Sequence, residues 1–166
     1  MKKAIAPILV LLLMISLMTG LSACGPRINM PFNGEIRFHD IGLTIPEKFI
    51  RDSTESTEDL WVFEKGFYSQ YIVLSRQVAD GDPAAILDNY AAYLTQEGVN
   101  ARQGTFLETE AVFSDWTRED MFCQEVLFVY DGSVYAISLR GSSREDFEAL
   151  LQSVVLLTEE DGSSAV

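Results

Sequence analysis

Few side chains in this chain are of the kinds that carry out chemistry. His39 is the single histidine among 166 residues, and Cys24 and Cys123 are the only cysteines. Nucleophilic triads and most zinc sites need an imidazole beside Ser, Cys or a carboxylate. A lone His39 next to Asp40 at a strand end reads instead as an exposed or locally hydrogen-bonded side chain. Cys123 falls in an apolar strand pattern, where a free thiol is ordinarily a small apolar filler. An arginine across from it would favour thiolate, but the expectation is a thiol slow to alkylate. Carboxylates gather in two loops, Glu55, Glu58 and Asp59, then Asp115, Glu119 and Asp120. Ca²⁺ takes about six to eight oxygen ligands and could use such loops. Neither has the spacing of an EF-hand, so solvated turns are expected and no metal site is assigned. Trp61, Phe63, Phe67 and Tyr68 make an aromatic-rich hairpin together with Tyr71. Alternation sends Trp61 and Phe63 to the face opposite Leu60 and Val62. Most of these rings must be core, but a set left exposed would form a partner patch, since aromatics concentrate in binding hot spots.

Cys24 has a different setting. Met1-Lys2-Lys3 opens the chain, an apolar run follows from Ala4 to Gly20, and Leu21-Ser22-Ala23 precedes Cys24 and Gly25. Positive charge, an apolar stretch and small residues before a cleavage point mark a signal peptide. Cys placed directly after Leu-Ser-Ala resembles the bacterial lipobox. That resemblance implies removal of residues 1–23 and a diacylglyceryl group on the Cys24 thiol, with no other cofactor. An uncleaved transmembrane anchor is the alternative, because a span needs about 20 apolar residues. Pro7 and Gly20 weaken it. Two acyl chains hold firmly where one does not, so the lipid alone places the domain on the outer face of the cell membrane. Gly25 lacks the Asp that resembles an inner-membrane retention signal.

Cleavage before Cys24 would leave 143 of the 166 residues, enough for one domain with a proper core. The hydrophobic share of 48% is inflated by the leader. Losing Lys2 and Lys3 takes the net charge from −13 to −15. A domain so acidic repels phosphate backbones, which excludes nucleic acid as a partner. With Cys24 committed to lipid, Cys123 has no partner for a disulfide, so packing must hold the fold.

These candidates need elements to position them. Residues 24–34 read as lipidated Cys and tether, spanning at most about 30 Å, and 158–166 as a polar disordered tail. Residues 35–157 form one domain. Ile36 to Phe38 and Gly42 to Ile45 are expected as a first strand pair ended by Pro46. Leu60 to Glu64 and Tyr68 to Gln77 form a hairpin about Lys65-Gly66. Asp82-Pro83 starts a helix with Pro at its first position. Ile86, Leu87, Tyr90, Tyr93 and Leu94 make its apolar stripe, and Gly98 ends it. Four strands follow: Ala101 to Leu107, Glu110 to Trp116, Met121 to Tyr130 and Ser133 to Arg140. Asp131-Gly132 is a two-residue turn that fixes the last register. It sets Phe128 opposite Tyr135, Val126 opposite Ile137 and Gln124 opposite Leu139. The other face, with Glu125 opposite Ser138 and Cys123 opposite Arg140, is mixed and expected to be half solvated. Ser142 with Glu145 reads as a capping box for a second helix carrying Phe147, Leu150, Leu151 and Val154. The whole predicts an α+β sandwich, an antiparallel sheet packed with two helices.

This order of elements resembles the PsbP-like superfamily, DcrB-like bacterial lipoproteins among them. The matching features are Gly42-Leu-Thr-Ile-Pro-Glu-Lys-Phe49, the helix from Pro83 to Glu97, the closing strand Val134-Tyr-Ala-Ile-Ser-Leu139 and the helix ending at Val154. The resemblance implies non-enzymatic binding or assembly; members serve as extrinsic photosystem subunits, a Ran-binding import factor and envelope lipoproteins. The expected function is therefore a non-enzymatic, membrane-anchored binding or accessory module with an envelope protein as partner. The alternative is a solute- or metal-binding lipoprotein working with a transporter. A pocket of converging polar groups would favour the latter, an exposed aromatic patch the former.

Overall fold

The computed structural model describes residues 31–66, 69–118 and 120–157. The leader 1–23, Cys24, most of the tether, Phe67, Tyr68, Glu119 and the tail 158–166 lie outside the described residues.

Chain order is β1 (Pro31–Phe38), β2 (Ile41–Arg51), β3 (Leu60–Lys65), β4 (Gln70–Val78), α1 (Pro83–Gln96), β5 (Asn100–Phe106), β6 (Thr109–Arg118), β7 (Met121–Tyr130), β8 (Ser133–Arg140), α2 (Arg144–Gln152) and β9 (Val155–Leu156). The strands form one antiparallel sheet in the order β1-β2-β3-β4-β8-β7-β6-β5, with β9 on β2. Two four-stranded meanders therefore meet along β4 and β8, which pair from Tyr71 with Arg140 to Val78 with Ser133. The α1 segment carries the chain from the middle of the sheet out to its β5 edge.

Turn chemistry sets the registers. Asp131 and Gly132 have φ of 43° and 67°, the positive values that a two-residue hairpin with native twist requires. The pairings expected from that turn are all present, Cys123 with Arg140 included. Leu107 and Glu108 make a second such turn, at φ 50° and 64°. No glycine marks it, so the strand pattern on either side is its only trace in the sequence.

Two boundaries differ from the sequence reading. Strand β2 runs past Pro46 to Arg51, because residues 46–48 bulge between the pairs Gly34 with Ile45 and Phe32 with Phe49. A bulge leaves a residue out of the ladder, so the missing N–H of Pro46 costs no strand hydrogen bond. For the same reason β1 extends back to Pro31, four residues into the expected tether.

The opposite-face expectation also fails. Both faces of β7 and β8 are covered: Glu125 is 1% exposed, Ser138 2% and Ala136 3%. Helix α1 accounts for part of this, packing Leu87, Tyr90 and Leu94 on Val112, Leu127, Val134 and Ala136. On the other face the main core joins Phe38, Ile41 and Leu43 of β1–β2 to Val126, Phe128 and Ile137. It can do so because β2 stays with β3 for only two residue pairs, Ile50 with Glu64 and Arg51 with Phe63. The β1–β2 ribbon is thus free to share a core with the sheet centre. A strand buried on both faces has no solvent side for its polar residues, and each then needs a partner.

Helix α2 closes the main core with Phe147, Leu150 and the following Val154. Its capping box is Ser143 with Asp146, one residue later than expected. Gly-Ser-Ser-Arg-Glu-Asp offers the pattern in both frames. The Asp146 frame is held by Gln124 of β7, whose amide donates to the Ser143 carbonyl at 3.2 Å. Asp82 occupies the N-cap of α1 as expected, though its side chain makes no cap hydrogen bond. Strand β9 had no sequence signal; two residues are too few to show a period.

Candidate functional site

A hollow lies where α2 passes the β5–β6 end of the sheet. Residues 102, 104 and 106 share one face of β5, since side chains alternate along a strand. Phe113 pairs with Arg102 across β6, and a Cβ on Gly104 would lie 3.1 Å from the Phe113 ring. Glycine at 104 therefore lets that ring lie flat against the strand. Phe106 meets Phe113 edge-on at 6.4 Å and Phe128 at 5.1 Å between centroids. Phe106 and Phe113, with Phe147 and Leu151, floor a groove of about 340 Å³. That is within the roughly 300–1,000 Å³ of small-ligand sites, which pair an apolar lining with a few placed polar groups.

The rim is polar. The Arg102 guanidinium sits 4.5 Å from the Phe113 centroid. Arg144, in the first turn of α2, reaches Asp115 at 3.7 Å, and Asp115 also accepts from the Asn100 amide at 2.8 Å. Gln124, Glu148 and Gln152 complete the wall. Two guanidinium groups facing one groove are notable in a chain with 12 Lys and Arg against 25 Asp and Glu. Such an arrangement can hold a ligand with an apolar body and an anionic or amide group; nothing in it is a nucleophile aligned with a base. The sequence reading missed this groove. Its signal was the Arg-x-Gly-x-Phe alternation of β5, with a glycine inside a strand, which often marks close approach.

The singled-out residues are dispersed. Phe63 is fully buried in the main core, which removes it from any partner patch. Its strand has both faces covered, Val62 being 1% exposed, so alternation offered no solvent side. Trp61 is half-buried, with its ring under the Arg51 guanidinium at 3.8 Å and against Phe38 at 5.2 Å. Phe67 and Tyr68 lie outside the described residues.

His39 is hydrogen-bonded, though not to its neighbour. Its Nε2 lies 3.1 Å from both the Glu58 carbonyl and Asp59 Oδ1, and Arg76 donates to the same carboxylate oxygen at 3.3 Å. Asp40 instead accepts from the buried Tyr135 hydroxyl at 2.6 Å. Together these ties bind the β1–β2 turn to the loop after β2 and to β8. Burial and the Asp40 carboxylate push the Tyr135 hydroxyl up to about 12. A tyrosine raised in the folded state contributes in full below its unfolded value near 10, and the contribution is lost as pH rises from there through about 12. Urea midpoints should therefore drop between pH 9 and 11.5, and Tyr135→Phe should flatten part of the drop. Identical alkaline losses in both proteins would remove Tyr135 as the cause.

A second buried polar set lies under α1. Tyr90 donates to Glu125, and so does Ser138 at 2.5 Å. Burial and Glu125 hold the Tyr90 hydroxyl well above its ordinary value. Cys123 is 4% exposed, and burial pushes its thiol up despite the nearby Arg140 and Arg118. Alkylation mapped by mass spectrometry should accordingly find Cys123 slower than a free thiol at pH 7.5 and fast only in denaturant; rapid native labelling would contradict this. Among the described residues no three His, Cys, Asp or Glu side chains converge to hold a metal, and no helix is long and apolar enough to cross a membrane.

Comparison with known proteins defines the fold. No family model and no curated protein matches the chain. Among solved structures, the cyanobacterial PsbP of Synechocystis, CyanoP, superposes with a TM-score of 0.52 at 8% identity, over 84% of this chain and 98% of that one. A Bacteroides thetaiotaomicron protein superposes at 0.51 with 11% identity, over 78% of this chain and 50% of that one. The domain has the PsbP-like α+β fold. At such identities the likeness is one of architecture, and function must be argued from the site.

Proposed function

We propose that this chain is a lipoprotein anchored through Cys24, and that its PsbP-like domain is a non-enzymatic binding module at the cell envelope. The observation that carries the binding role is the groove, with an aromatic floor and Arg102 and Arg144 on its rim. The leader pattern and Cys24 supply the address, and the tether keeps any partner within a few tens of ångströms of the membrane. An envelope protein is the partner this arrangement suits. A solute carried for a transporter is a second reading, favoured by the groove's size and converging polar groups.

Crosslinking in intact cells tests the proposal. The wild-type protein should carry lipid on Cys24 and crosslink to an envelope protein. Cys24→Ala should lose the lipid and keep residues 1–23, and Leu151→Glu in the groove should lose the crosslink while remaining folded and lipidated. Recovery of no envelope protein above the Cys24→Ala control would overturn the binding role. Unlipidated Cys24 in the wild type would overturn the anchor.

A further inference from the structure

Strand β5 is the last of the sheet, with β6 on one side and no strand on the other among the described residues. Asn100, Arg102, Gln103, Gly104 and Thr105 are all exposed. Backbone N–H and C=O groups along such an edge are a template for another strand. The same strand forms one wall of the groove. Arg102 and Phe106 stand four residues apart on one face, about 13 Å along the strand. Between them Gly104 presents no side chain, and the floor there is the Phe113 ring. Arg102 has no carboxylate within ion-pair reach among the described residues: Asp59 pairs with His39 and Arg76, and Asp115 with Arg144 and Asn100.

We propose that this edge and groove together take an extended peptide segment of the partner, carrying a carboxylate and a large apolar side chain four residues apart. The inference rests on the groove being the binding site. The peptide adds as a strand beside β5, so its alternate side chains point into the groove at the spacing of Arg102 and Phe106. The carboxylate meets the Arg102 guanidinium, the apolar side chain packs on Phe106 and Leu151, and a small residue lies between them opposite Gly104. Charge complementarity selects such a segment: Arg144 is tied to Asp115, whereas the Arg102 guanidinium lies on the Phe113 ring at the groove rim and is open to an incoming carboxylate.

The full-length lipoprotein in detergent can be titrated with two N-acetylated, C-amidated heptapeptides, Thr-Glu-Thr-Ser-Thr-Phe-Thr and its reverse, since either strand direction is open. One of the two should bind saturably below millimolar concentration. Arg102→Gln should weaken it roughly tenfold, as expected for loss of a charge-assisted contact, with no change in thermal midpoint. Replacing the peptide Glu by Gln should erase that difference. Moving Glu one place nearer Phe puts the two on opposite faces and should abolish binding. N-methylating alternate peptide amides in each of the two phases should abolish binding in one phase. Undiminished binding of both methylated forms would overturn strand addition and leave the groove reading intact. No binding of either parent peptide would overturn the inference, and the crosslink lost in Leu151→Glu cells would then still support the groove.

Discussion

Phe128→Ala should lower the thermal midpoint by roughly 10–20 °C. The ring is fully buried. It stacks on Tyr135, its cross-strand partner, at 5.5 Å and 18°, and takes the edge of Phe106 at 5.1 Å. Its partner on β6 is Ala111, too small to fill a vacated space. Neighbouring strands fixed by their ladders relax little, so the removed ring leaves a cavity. Such Phe→Ala changes cost about 3–5 kcal/mol, against a total stability of about 5–15 kcal/mol for a domain. In a domain of this size each kcal/mol moves the midpoint by roughly 3–5 °C. Because Phe106 leans on Phe128 and also floors the groove, the same change should loosen the ligand site. Phe128→Leu should recover most of the loss. A fall of under about 3 °C in Phe128→Ala would mean that Phe106 and Tyr135 collapse into the space, contrary to a rigid core.

Gly141→Ala should cost about 3 kcal/mol or more, roughly twice the effect of the same change at Gly132. Both glycines have left-handed φ, 73° and 67°, which costs an L-residue roughly 1–2 kcal/mol. Around Gly132 a Cβ would meet nothing within 4 Å, so strain is the whole cost. At Gly141 it would lie 2.0 Å from the Ser69 carbonyl oxygen and 3.4 Å from Gln70 Cα. Those are backbone atoms and cannot swing aside. The displacement would also strain the bond from the Gly141 N–H to the Phe122 carbonyl at 2.8 Å, and the one its carbonyl accepts from the Gln70 amide at 3.3 Å. Each is worth about 0.5–1.5 kcal/mol. Gly141 leads directly into the Ser143 cap of α2, which carries Arg144 and Leu151, so the groove should shift with it. Denaturant midpoints for the two variants decide the matter; equal losses would show that the backbone at Ser69 and Gln70 yields freely.

Legibility followed how local the physics was. The β7–β8 register could be read from Asp131-Gly132, because a two-residue turn dictates which residues face each other. The stripe of α1 and its stop at Gly98 were legible for the same reason. The capping frame of α2 was off by one because Ser142 and Ser143 both satisfy the pattern, and Gln124, nineteen residues before Ser143, selects between them. Pro46 reads as a strand end because a proline spoils a ladder, but a bulge suspends the ladder there.

Burial was the wider failure. Alternation in β3 and β7 says which residues share a face, never what lies over it. Phe63 proved to be core and Glu125 proved to be enclosed because α1 and the β1–β2 ribbon arrive from distant parts of the chain. The groove belongs to the same class. Arg102, Gly104 and Phe106 are neighbours on one strand, whereas Arg144, Phe147 and Leu151 join them only through the packing of α2. The acidity, the element order and the Asp131-Gly132 turn were legible in the residues, since each depends on composition or on positions a few residues apart. Which faces are covered, which polar groups are sealed in and where a ligand has room were settled by tertiary contacts between distant segments, which no local pattern encodes.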